Sequence, residues 1–368
     1  MKTECEILII GAGPAGSTLA RELSKHAIDN ILVQRNFNFK KPCGGGVRVD
    51  AFDEFGLDKK YIKKDIHTII LAFKEKRISV DIHENPLAIV ERREFDSYLR
   101  DEAKNAGSVV YEATFIDVQI QEDCVLSSIK IGNEIKTIKS KYLVAADGVN
   151  SKIRKMINKD QVPSLMTNYA DLNSLACTDC EFHFGEEIAS KEYAWSFPEA
   201  NGTNIGTLSR GDTPYMSNFE NSLGVDEEHK IYGYKIPKYD KALFYKTRVF
   251  FVGDSATQVL PFTYEGIYYA MSSAKILAEV LAQRCEPDEY EKRWNKKYLR
   301  KFQTLKKLQQ IFLYNDFMVA LMMRMYQSKS IQEKMIDLWL RDRKVTIDFM
   351  FFMRLLVRLL TSRPKQTS

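Results

Sequence analysis

An apolar run and a glycine-rich turn stand near the start of the chain, at Ile7-Leu8-Ile9-Ile10 and Gly11-Ala12-Gly13-Pro14-Ala15-Gly16-Ser17. This order predicts a buried strand, a tight turn and a helix over residues 18–25. Glycines in such a turn let the backbone approach a pyrophosphate, which binds the unpaired N–H groups at a helix start. The candidate phosphate-binding residues are Gly11, Gly13, Pro14, Ala15 and Gly16. Similar turns also occur without any ligand, so the interpretation depends on the rest of the chain.

The second strand is predicted at Asn30-Ile31-Leu32-Val33-Gln34. In dinucleotide-binding folds an acidic residue near the end of this strand binds the ribose hydroxyls of the adenosine. Gln34 stands there instead, and its amide can bond a diol without adding a charge. The neighbouring Arg35 leaves room for a 2′-phosphate. Gln34 and Arg35 are therefore both candidate nucleotide ligands, and the identity of the nucleotide stays open at this position.

Two later segments have the same strand-then-turn character, Leu143-Val144-Ala145-Ala146-Asp147-Gly148 and Val249-Phe250-Phe251-Val252-Gly253-Asp254. The Asp254 carboxylate stands where the ribityl hydroxyls of a flavin could donate to it. A helix beginning near Gly266 would direct its positive end at the flavin N1/O2 edge, where reduction places negative charge. Alone, an Asp after a strand can simply cap a helix. Together the three segments predict bound FAD, with these further candidate ligands: Asp147, Gly148, Gly253, Asp254, Gly266 and Ile267.

Four further motifs give the chain a more specific likeness. They are Lys41-Pro42-Cys43-Gly44-Gly45-Gly46-Val47, Val90-Glu91-Arg92-Arg93-Glu94-Phe95-Asp96, Tyr193-Ala194-Trp195-Ser196-Phe197-Pro198 and Asn204-Ile205-Gly206. With these motifs, residues 1–285 resemble the geranylgeranyl reductase family of FAD-dependent oxidoreductases, which belongs to the fold group of p-hydroxybenzoate hydroxylase and the flavin halogenases. The first motif is similar to the family's PCGGG segment and the third to its YxWxFP motif. These two distinguish the reductases from general flavin hydroxylases.

The resemblance implies roles for several residues. It places Cys43, Gly44 and Gly45 in a loop at the isoalloxazine ring and Arg92 near the cofactor. It implies hydride transfer from reduced flavin to a C=C bond of an isoprenoid, either a polyprenyl lipid or a quinone tail. The other carbon needs a proton, for which Cys43 and Tyr193 are the candidate catalytic residues and a bound water is a third source. A turn cysteine without any chemistry is an equally open interpretation of Cys43.

Three aromatic residues alternate along a predicted strand, at Tyr193, Trp195 and Phe197. Because successive side chains of a strand point to opposite faces, all three share one face. They are the candidate substrate-binding residues, as an apolar wall for an isoprenoid. The same stripe would also serve as ordinary core, and both interpretations remain open.

The order of predicted elements indicates an α/β (α+β) fold with a Rossmann-like FAD-binding domain, an inserted antiparallel-sheet substrate domain and a C-terminal helical region. The predicted boundaries are 1–60, 88–160 and 240–284 for the FAD-binding domain, 61–87 and 161–239 for the substrate domain, and 285–368 for the helical region. The last apolar run, Phe349–Leu360, is too short to span a bilayer. Packing in the core and contact with the cytoplasmic face of a membrane are both open for it.

Composition limits the function classes. The chain has 368 residues, of which 45% are hydrophobic and 28% charged, with a net charge of +5. No dense basic patch alternates with stacking aromatic residues, so nucleic acid is not an expected partner. Six scattered cysteines are not a disulfide framework and favour a cytoplasmic location. The single CxxC, Cys177-Thr178-Asp179-Cys180, has no second pair, so no metal is predicted.

The electron donor and two alternative functions stay open in the sequence. No second GxGxxG marks an NAD(P)H domain, so the donor is either NAD(P)H or a ferredoxin-like protein. A flavin monooxygenase or halogenase would share all three FAD segments, and Tyr193–Pro198 is similar to the halogenase WxWxIP motif. A flavoprotein that carries electrons to quinone is the other alternative. The sequence has no iron–sulfur cysteine cluster, which weakens that second interpretation.

Overall fold

The computed structural model describes residues 1–173, 175, 177–199, 201–341 and 357. Its strands are β1 Glu4–Ile10, β2 Asn30–Gln34, β3 Gly46–Arg48, β4 Ile62–Ile66, β5 Thr68–Phe73, β6 Lys76–Asp81, β7 Leu87–Val90, β8 Val109–Glu112, β9 Thr114–Ile120, β10 Val125–Ile131, β11 Glu134–Ala145, β12 Ser164–Leu172, β13 Cys180–Phe184, β14 Ala194–Glu199, β15 Gly202–Leu208, β16 Tyr232–Pro237, β17 Tyr245–Lys246 and β18 Val249–Phe251. Its α-helices are α1 Pro14–Lys25, α2 Asp50–Glu54, α3 Arg92–Asn105, α4 Lys152–Asn158, α5 Glu186–Ala189, α6 Tyr215–Leu223, α7 Ile267–Ala282, α8 Asp288–Trp294, α9 Arg300–Phe312, α10 Asp316–Tyr326 and α11 Lys329–Trp339. There are also short 3-10 helices at Lys59–Tyr61 and Gly253–Ala256 and a π-helical turn at Asn295–Leu299.

Packing divides the chain into two compact units, each discontinuous in sequence. The first contains Met1–Lys64, Ala88–Thr167 and Tyr234–Phe302, and the second contains Asp65–Leu87, Asn168–Gly233 and Gln303–Ser368. Each unit has its own sheet and its own apolar cluster. The domain boundaries drawn from the sequence stay a prediction.

The first unit is built on an eight-stranded sheet with a parallel centre. The strand order is β17-β18-β11-β1-β2-β8, and β10 and β9 extend from β11 as an antiparallel meander. β1 pairs in parallel with both β2 and β11, and β11 pairs in parallel with β18. The chain leaves β1 toward β2 on one side and later fills the other side with β11, so the strand order reverses at β1. Open α/β sheets bind ligands at such a point, beyond the carboxyl ends of the strands.

Apolar side chains explain why this sheet forms. Ile7, Leu8 and Ile9 of β1 have no exposed surface, as expected for a parallel strand that is covered on both faces. Full burial of such a side chain stabilises the fold by about 1.5–3 kcal/mol. The glycine-rich turn then leads into α1, which has Pro14 in its first turn and packs against α7. The sheet and these two helices fix the position of the turns that follow the strands.

A seven-stranded sheet has the order β16-β12-β15-β14-β13-β5-β6, and its strands β15, β14, β13, β5 and β6 lie in the second unit. The pairs β13–β14, β14–β15 and β5–β6 are antiparallel, whereas β5 and β13 are parallel. The sequence predicts an antiparallel sheet here, and the parallel pairing of β5 with β13 differs from that prediction. About 100 residues separate β5 from β13, so the chain can return and run in the same direction as β5. Helix α6 covers one face of this sheet through an apolar cluster that includes Ala194, Ile205 and Phe219.

The fold class predicted from the sequence is confirmed, because the protein combines parallel and antiparallel sheets with helices in the later part of the described chain. Within the C-terminal region predicted to be helical, the described residues form α8, α9, α10 and α11. The predicted run Phe349–Leu360 lies outside the described residues, apart from Val357. Among the described helices, none has the length and apolar character that a bilayer crossing requires.

Candidate functional site

The turns that the sequence predicts as FAD ligands follow neighbouring parallel strands of the first unit. The Gly11 turn follows β1, the Asp147 turn follows β11 and the Gly253 turn follows β18, while Gln34 ends β2. The carboxyl ends of parallel neighbours lie at one edge of a sheet. Four segments that are far apart in the sequence therefore meet at the edge where α/β sheets bind nucleotides.

Gly11 is required by the close approach of two of these turns. Its φ is +103°, and a Cβ at this position would overlap the carbonyl oxygen of Ala146. Its N–H donates to Val33 O at 2.8 Å, and the Ala146 N–H donates to Ile10 O at 2.8 Å. The turn after β1 thus passes directly against the turn after β11, which only a glycine allows.

No contact within the protein requires position 13 to be a glycine. Its φ of −79° and ψ of −169° suit any residue, and no protein atom lies within 4 Å of the point where its Cβ would be. It precedes the first residue of α1, Pro14, and no side chain caps this helix start. A pyrophosphate bound at the helix start would explain the glycine, because a Cβ there would hinder its approach. The residues present therefore fit the pyrophosphate of FAD.

Gln34 is turned toward the glycine-rich turn. The Ala12 N–H donates to Gln34 Oε1 at 2.9 Å, and Gln34 Nε2 donates to Asn36 O at 3.0 Å. A carboxylate could accept the first bond but could not donate the second, so the amide suits this position better than an acid. The neighbouring Arg35 is exposed. The roles of Gln34 and Arg35 in nucleotide binding stay predictions.

Asp147 supports the turn after β11. Its carboxylate accepts a hydrogen bond from Ser151 Oγ at 2.6 Å and another from the Ile153 N–H at 3.2 Å. Burial raises the pKa of Asp147 above its usual range, and these hydrogen bonds offset only part of that rise. The following Gly148 has a φ of +76°. Asp147 therefore holds the start of α4, and the cofactor roles of both residues stay predictions.

Asp254 forms an ion pair with Lys41, the first residue of the PCGGG-like segment. The Lys41 side chain is 26% exposed and the Asp254 side chain is 10% exposed, so water screens the ion pair only in part. Burial lowers the pKa of Lys41, but the Asp254 carboxylate raises it, and the net direction is upward. The Asp254 Oδ1 atom lies 3.3 Å from the point where a Cβ of Gly266 would be. Asp254 and Lys41 thus stand at the start of α7, just before Ile267.

The PCGGG-like segment is anchored to β7 through Gly45. Its φ is +70°, and a Cβ there would overlap the carbonyl oxygen of Val90. The Val90 N–H donates to Gly45 O at 3.0 Å. The Gly45 N–H donates to Cys43 Sγ at 3.4 Å, which fixes the thiol within the loop that also contains Gly44. The loop is therefore tied to β7 at one end and to Asp254 through Lys41 at the other.

Arg92 begins α3, directly after the strand that anchors this loop. It is 3% exposed and donates to both carboxylate oxygens of Asp96, at 3.1 and 2.9 Å. Burial lowers the pKa of Arg92, whereas Asp96 and the Cys43 thiol raise it, and the net direction is upward. The guanidinium group is therefore a charged neighbour of Cys43. Its predicted contact with the cofactor stays a prediction.

Arg154 and Ser255 connect two of the turns, and sequence reasoning missed both. Arg154 Nη1 donates to Ser255 O at 2.9 Å, and the same guanidinium group bonds to both carboxylate oxygens of Asp160 at 3.0 and 2.8 Å. Ser255 Oγ donates to Ala145 O, at the end of β11, at 2.6 Å. The one signal in the sequence was the position of Ser255 directly after Gly253-Asp254. Nothing local marked Arg154.

The three candidate substrate residues belong to the second unit. Trp195 and Phe197 are half-buried on β14, and Tyr193 precedes this strand and is 8% exposed. The ring of Phe182 lies edge-on to Tyr193 at 5.0 Å and to Phe197 at 5.1 Å between centroids. Tyr193 and Phe197 thus pack against Phe182, whose cross-strand partner is Trp195, and the contact of the three candidate residues with a substrate stays a prediction.

The CxxC pair has the character of buried structural thiols. Cys177 Sγ donates to Asp179 O at 2.8 Å. Burial raises the pKa of Cys177 and that of Cys180, which keeps both thiols protonated at neutral pH and makes them poor nucleophiles and metal ligands. Within the part of the chain that the structure describes, no group of three or more His, Cys, Asp or Glu residues is placed to hold a metal ion.

Comparison with known families agrees with this geometry. Residues 4–230 match the family model described as the FAD binding domain. The match covers more than half of the chain and includes the turns after β1, β2 and β11. The chain belongs to this family of FAD-binding proteins, and FAD is its cofactor.

The curated relatives narrow the likeness further. The chain is 26% identical over 384 residues to the chloroplastic geranylgeranyl diphosphate reductase of Arabidopsis thaliana. The match covers 92% of this chain and 80% of that protein. It is 28% identical over 325 residues to the digeranylgeranylglycerophospholipid reductase of Methanocaldococcus jannaschii, which covers 80% of this chain and 83% of that protein. The resemblance to geranylgeranyl reductases that the motifs indicate is thus confirmed.

Solved structures share the fold over nearly the whole chain. A geranylgeranyl bacteriochlorophyll reductase-like protein from Thermoplasma acidophilum has a TM-score of 0.81 at 19% identity, with 97% of this chain and 100% of that chain covered. A flavin-dependent brominase has a TM-score of 0.75 at 16% identity, with 97% and 99% covered. At these identities the two structures show the fold alone.

Proposed function

We propose that this protein is an FAD-dependent oxidoreductase that reduces C=C bonds in the isoprenoid part of a lipid or of a quinone tail. One observation carries the proposal: Lys41 of the PCGGG-like segment pairs with Asp254 of a predicted FAD-binding turn. The motif that distinguishes reductases from general flavin hydroxylases therefore reaches the sheet edge where the candidate cofactor ligands meet. The names of the curated relatives support an isoprenoid substrate.

The proposed ligands divide by the part of FAD that each binds. Gly11, Gly13 and the start of α1 bind the pyrophosphate, and Asp254 accepts the ribityl hydroxyls. Gly266 and Ile267 present the positive end of α7 to the flavin ring, where it stabilises negative charge. When bound and reduced, FAD supplies a hydride for transfer to carbon.

Reduction of a C=C bond also needs a proton on the second carbon, and we assign this proton to the Cys43 thiol. Cys43 shares a loop with Lys41 and has the Arg92 guanidinium as a charged neighbour. Cys43 therefore stands in the loop that Lys41 ties to Asp254, the proposed ribityl ligand. Tyr193 is packed edge-on against Phe182 and is mostly buried, which suits a place in an apolar surface better than proton donation.

An anaerobic single-turnover measurement tests the proposed function. The protein is reduced chemically and mixed separately with geranylgeranyl diphosphate and with a menaquinone, while flavin absorbance and lipid mass are followed. The proposal expects flavin reoxidation together with a gain of one H₂ per reduced bond in the isoprenoid chain, located by fragmentation so that reduction of the quinone ring is not counted. Cys43→Ala is expected to keep bound FAD but to slow reoxidation by about 10²-fold, in the range of a lost general acid. Flavin that stays reduced until air is admitted contradicts the proposal.

A flavin monooxygenase or halogenase is the second candidate, because Tyr193–Pro198 is similar to the halogenase WxWxIP motif. This alternative expects O₂ consumption and a hydroxylated or halogenated product. An electron carrier would instead exchange electrons rapidly with quinone or ferredoxin and leave no saturated product. Product analysis in the presence and absence of O₂ separates the three.

The electron donor is proposed to be NAD(P)H or a ferredoxin-like protein. Each is mixed under anaerobic conditions with the oxidised protein, and the bleaching of the flavin is timed. The physiological donor class is the one that bleaches the flavin at least as fast as the enzyme turns over. A donor that fails this comparison is excluded.

The proposed location is the cytoplasm, with peripheral contact at the cytoplasmic face of a membrane. Long isoprenoid chains reside in bilayers, so an enzyme that reduces them benefits from such contact. Co-sedimentation with anionic phospholipid vesicles is the test. Protein that remains in the supernatant at low salt contradicts the membrane contact and leaves the reductase proposal unaffected.

A further inference from the structure

A chain of hydrogen bonds holds Trp195 against the neighbouring strand of the second unit. Its Nε1 donates to Asn204 Oδ1 at 2.7 Å, and Asn204 Nδ2 donates to Asp171 Oδ1 at 2.6 Å. Asn204 is 3% exposed, so its amide group is largely shielded from water although Asp171 is exposed. Rotation of the indole would leave its N–H and the Asn204 carbonyl without their partners, which is unfavourable for buried polar groups.

Gly206 provides the space that the indole occupies. Trp195 and Gly206 are cross-strand partners between β14 and β15. A Cβ at Gly206 would overlap three atoms of the six-membered ring of Trp195, so this ring lies over the glycine backbone. An aromatic ring that covers a cross-strand glycine is a recognised means of fixing strand register. Here the backbone fixes one side of the ring, and Asn204 fixes its rotation.

The two faces of this part of the sheet differ in character. One face packs against α6 through a cluster of small and apolar residues, which comprises Ala170, Leu172, Ala189, Ala194, Ile205, Met216 and Phe219. Phe197 pairs with Asn204 across the strands, so Asn204 shares the face of Trp195 and Phe197. Trp195 and Phe197 stay half-buried, and Asp171 is exposed. The hydrogen-bonded chain thus belongs to the aromatic face and is no part of the α6 core.

We propose that Asn204 and Asp171 are positioning residues that hold the Trp195 ring as a rigid, flat surface for the planar C=C groups of a substrate chain. This inference rests on the proposed isoprenoid function. A trisubstituted C=C bond and its substituents are planar and pack closely along an aromatic face. Reduction makes both carbons tetrahedral, so the saturated chain loses part of that contact. The fixed ring therefore favours binding of the unsaturated chain and release of the saturated one.

Binding to the oxidised holoenzyme, which cannot reduce the ligand, tests this selectivity. The probes are geranylgeraniol and its fully saturated analogue, phytanol. We expect the wild-type protein to bind geranylgeraniol about tenfold more tightly, and Asn204→Leu to reduce this preference to about twofold or less. The double variant D171N/N204D exchanges the two groups, so that a carboxylate accepts the indole N–H and an amide donates to it. The double variant is expected to recover the preference for geranylgeraniol. N204D alone places two carboxylates side by side, so it is not expected to recover this preference.

A spectroscopic signal of the ring separates positioning from general destabilisation. In protein labelled with fluorotryptophan, the ¹⁹F resonance of Trp195 is assigned by its loss in Trp195→Phe. We expect one sharp resonance in the wild type and in D171N/N204D, and a shifted or broadened one in N204L. An unchanged resonance in N204L, or a kept preference despite a changed resonance, overturns the inference. If neither alcohol binds the wild type, the selectivity is overturned, whereas the proposed function is decided separately by the single-turnover measurement and the resonance still decides whether Asn204 positions the ring.

Discussion

Gly11 and Gly13 stand two residues apart in the same turn and are glycines for different reasons. Gly11 has a positive φ and no room for a Cβ, whereas Gly13 has an ordinary φ and open space around it. We therefore expect Gly11→Ala to lower the free energy of unfolding of the cofactor-free protein by about 1–3 kcal/mol. Gly13→Ala is expected to leave this stability unchanged and to weaken FAD binding about tenfold, equivalent to about 1.4 kcal/mol. Urea unfolding and FAD fluorescence titration measure the two effects, and equal destabilisation by both variants would contradict the assignment.

The pair of Lys41 and Asp254 predicts a stability effect that is independent of catalysis. Removal of one partner leaves the other charge partly buried without compensation, so Lys41→Met is expected to lower the free energy of unfolding of the cofactor-free protein by about 1–3 kcal/mol. Lys59 pairs with Asp53 at the surface, with both side chains more than half exposed, and provides the matched control. Lys59→Met should leave the urea midpoint unchanged. An equal effect of both variants would show that the Lys41 pair is no stronger than a surface pair.

Asp254 is the residue on which the proposed flavin placement depends. Asp254→Ala is expected to yield protein without FAD, because the ribityl hydroxyls lose their acceptor. The ratio of flavin to protein absorbance after purification measures this directly. Lys41→Met added to Asp254→Ala should bring no further loss of stability, since the pair is already broken. Stoichiometric FAD in Asp254→Ala would refute the ribityl contact.

At the level of elements, His229 ties the segment after α6 back to that helix. Its Nε2 lies 2.8 Å from Glu220 Oε1 and its Nδ1 lies 2.8 Å from Glu227 O. Burial lowers the pKa of His229, but the hydrogen bonds to Glu227 and Glu220 raise it, and the net direction is upward. The folded state thus binds the proton more tightly than the unfolded state. This stabilisation is complete below the usual histidine pKa of about 6.5 and is lost as pH rises through the raised value.

The difference in unfolding free energy between the wild type and His229→Gln measures this effect. It should be largest near about pH 5.5 and should fall toward zero by about pH 8.5. A neutral glutamine keeps hydrogen bonding without titrating, so the variant alone should lack this part of the pH dependence. A difference that grows with pH would contradict the upward direction of the pKa.

Elements with strong local patterns were predictable from the sequence. The predicted second strand has the observed bounds Asn30–Gln34, and the helix predicted over residues 18–25 is observed at Pro14–Lys25. Both follow from the spacing of apolar residues and from turn residues at their ends. The glycine-rich turn was also predictable, because consecutive residues of the sequence determine it.

Contacts between distant segments were not predictable, because no local pattern marks them. Lys41 and Asp254 are 213 residues apart, and Arg154 reaches Ser255 across 101 residues. The parallel pairing of β5 with β13 likewise depends on the path of the chain between them. Such contacts form only after the sheets have brought the segments together. The polar contacts of the site are therefore known only from the structure, whereas its backbone turns could be predicted from the sequence.

Over the whole molecule, the candidate cofactor residues and the candidate substrate residues divide between the two units. All proposed FAD ligands, from Gly11 to Ile267, belong to the first unit, and Tyr193, Trp195 and Phe197 belong to the second. A ligand stabilises what it contacts, by about 2.7 kcal/mol when it is present at 100 times its dissociation constant. FAD binding is therefore expected to stabilise the first unit directly.

Hydrogen exchange with and without FAD tests this division. FAD is expected to slow amide exchange most in residues 11–17, 146–148 and 253–267, where the backbone N–H groups and the start of α7 meet the cofactor. Amides of α6 should change much less, because Phe219 and its neighbours pack within the second unit. The Asp254→Ala variant, with the same FAD added, is the control for effects unrelated to the site. Protection of α6 as strong as that of the glycine-rich turn would contradict this division between the two units.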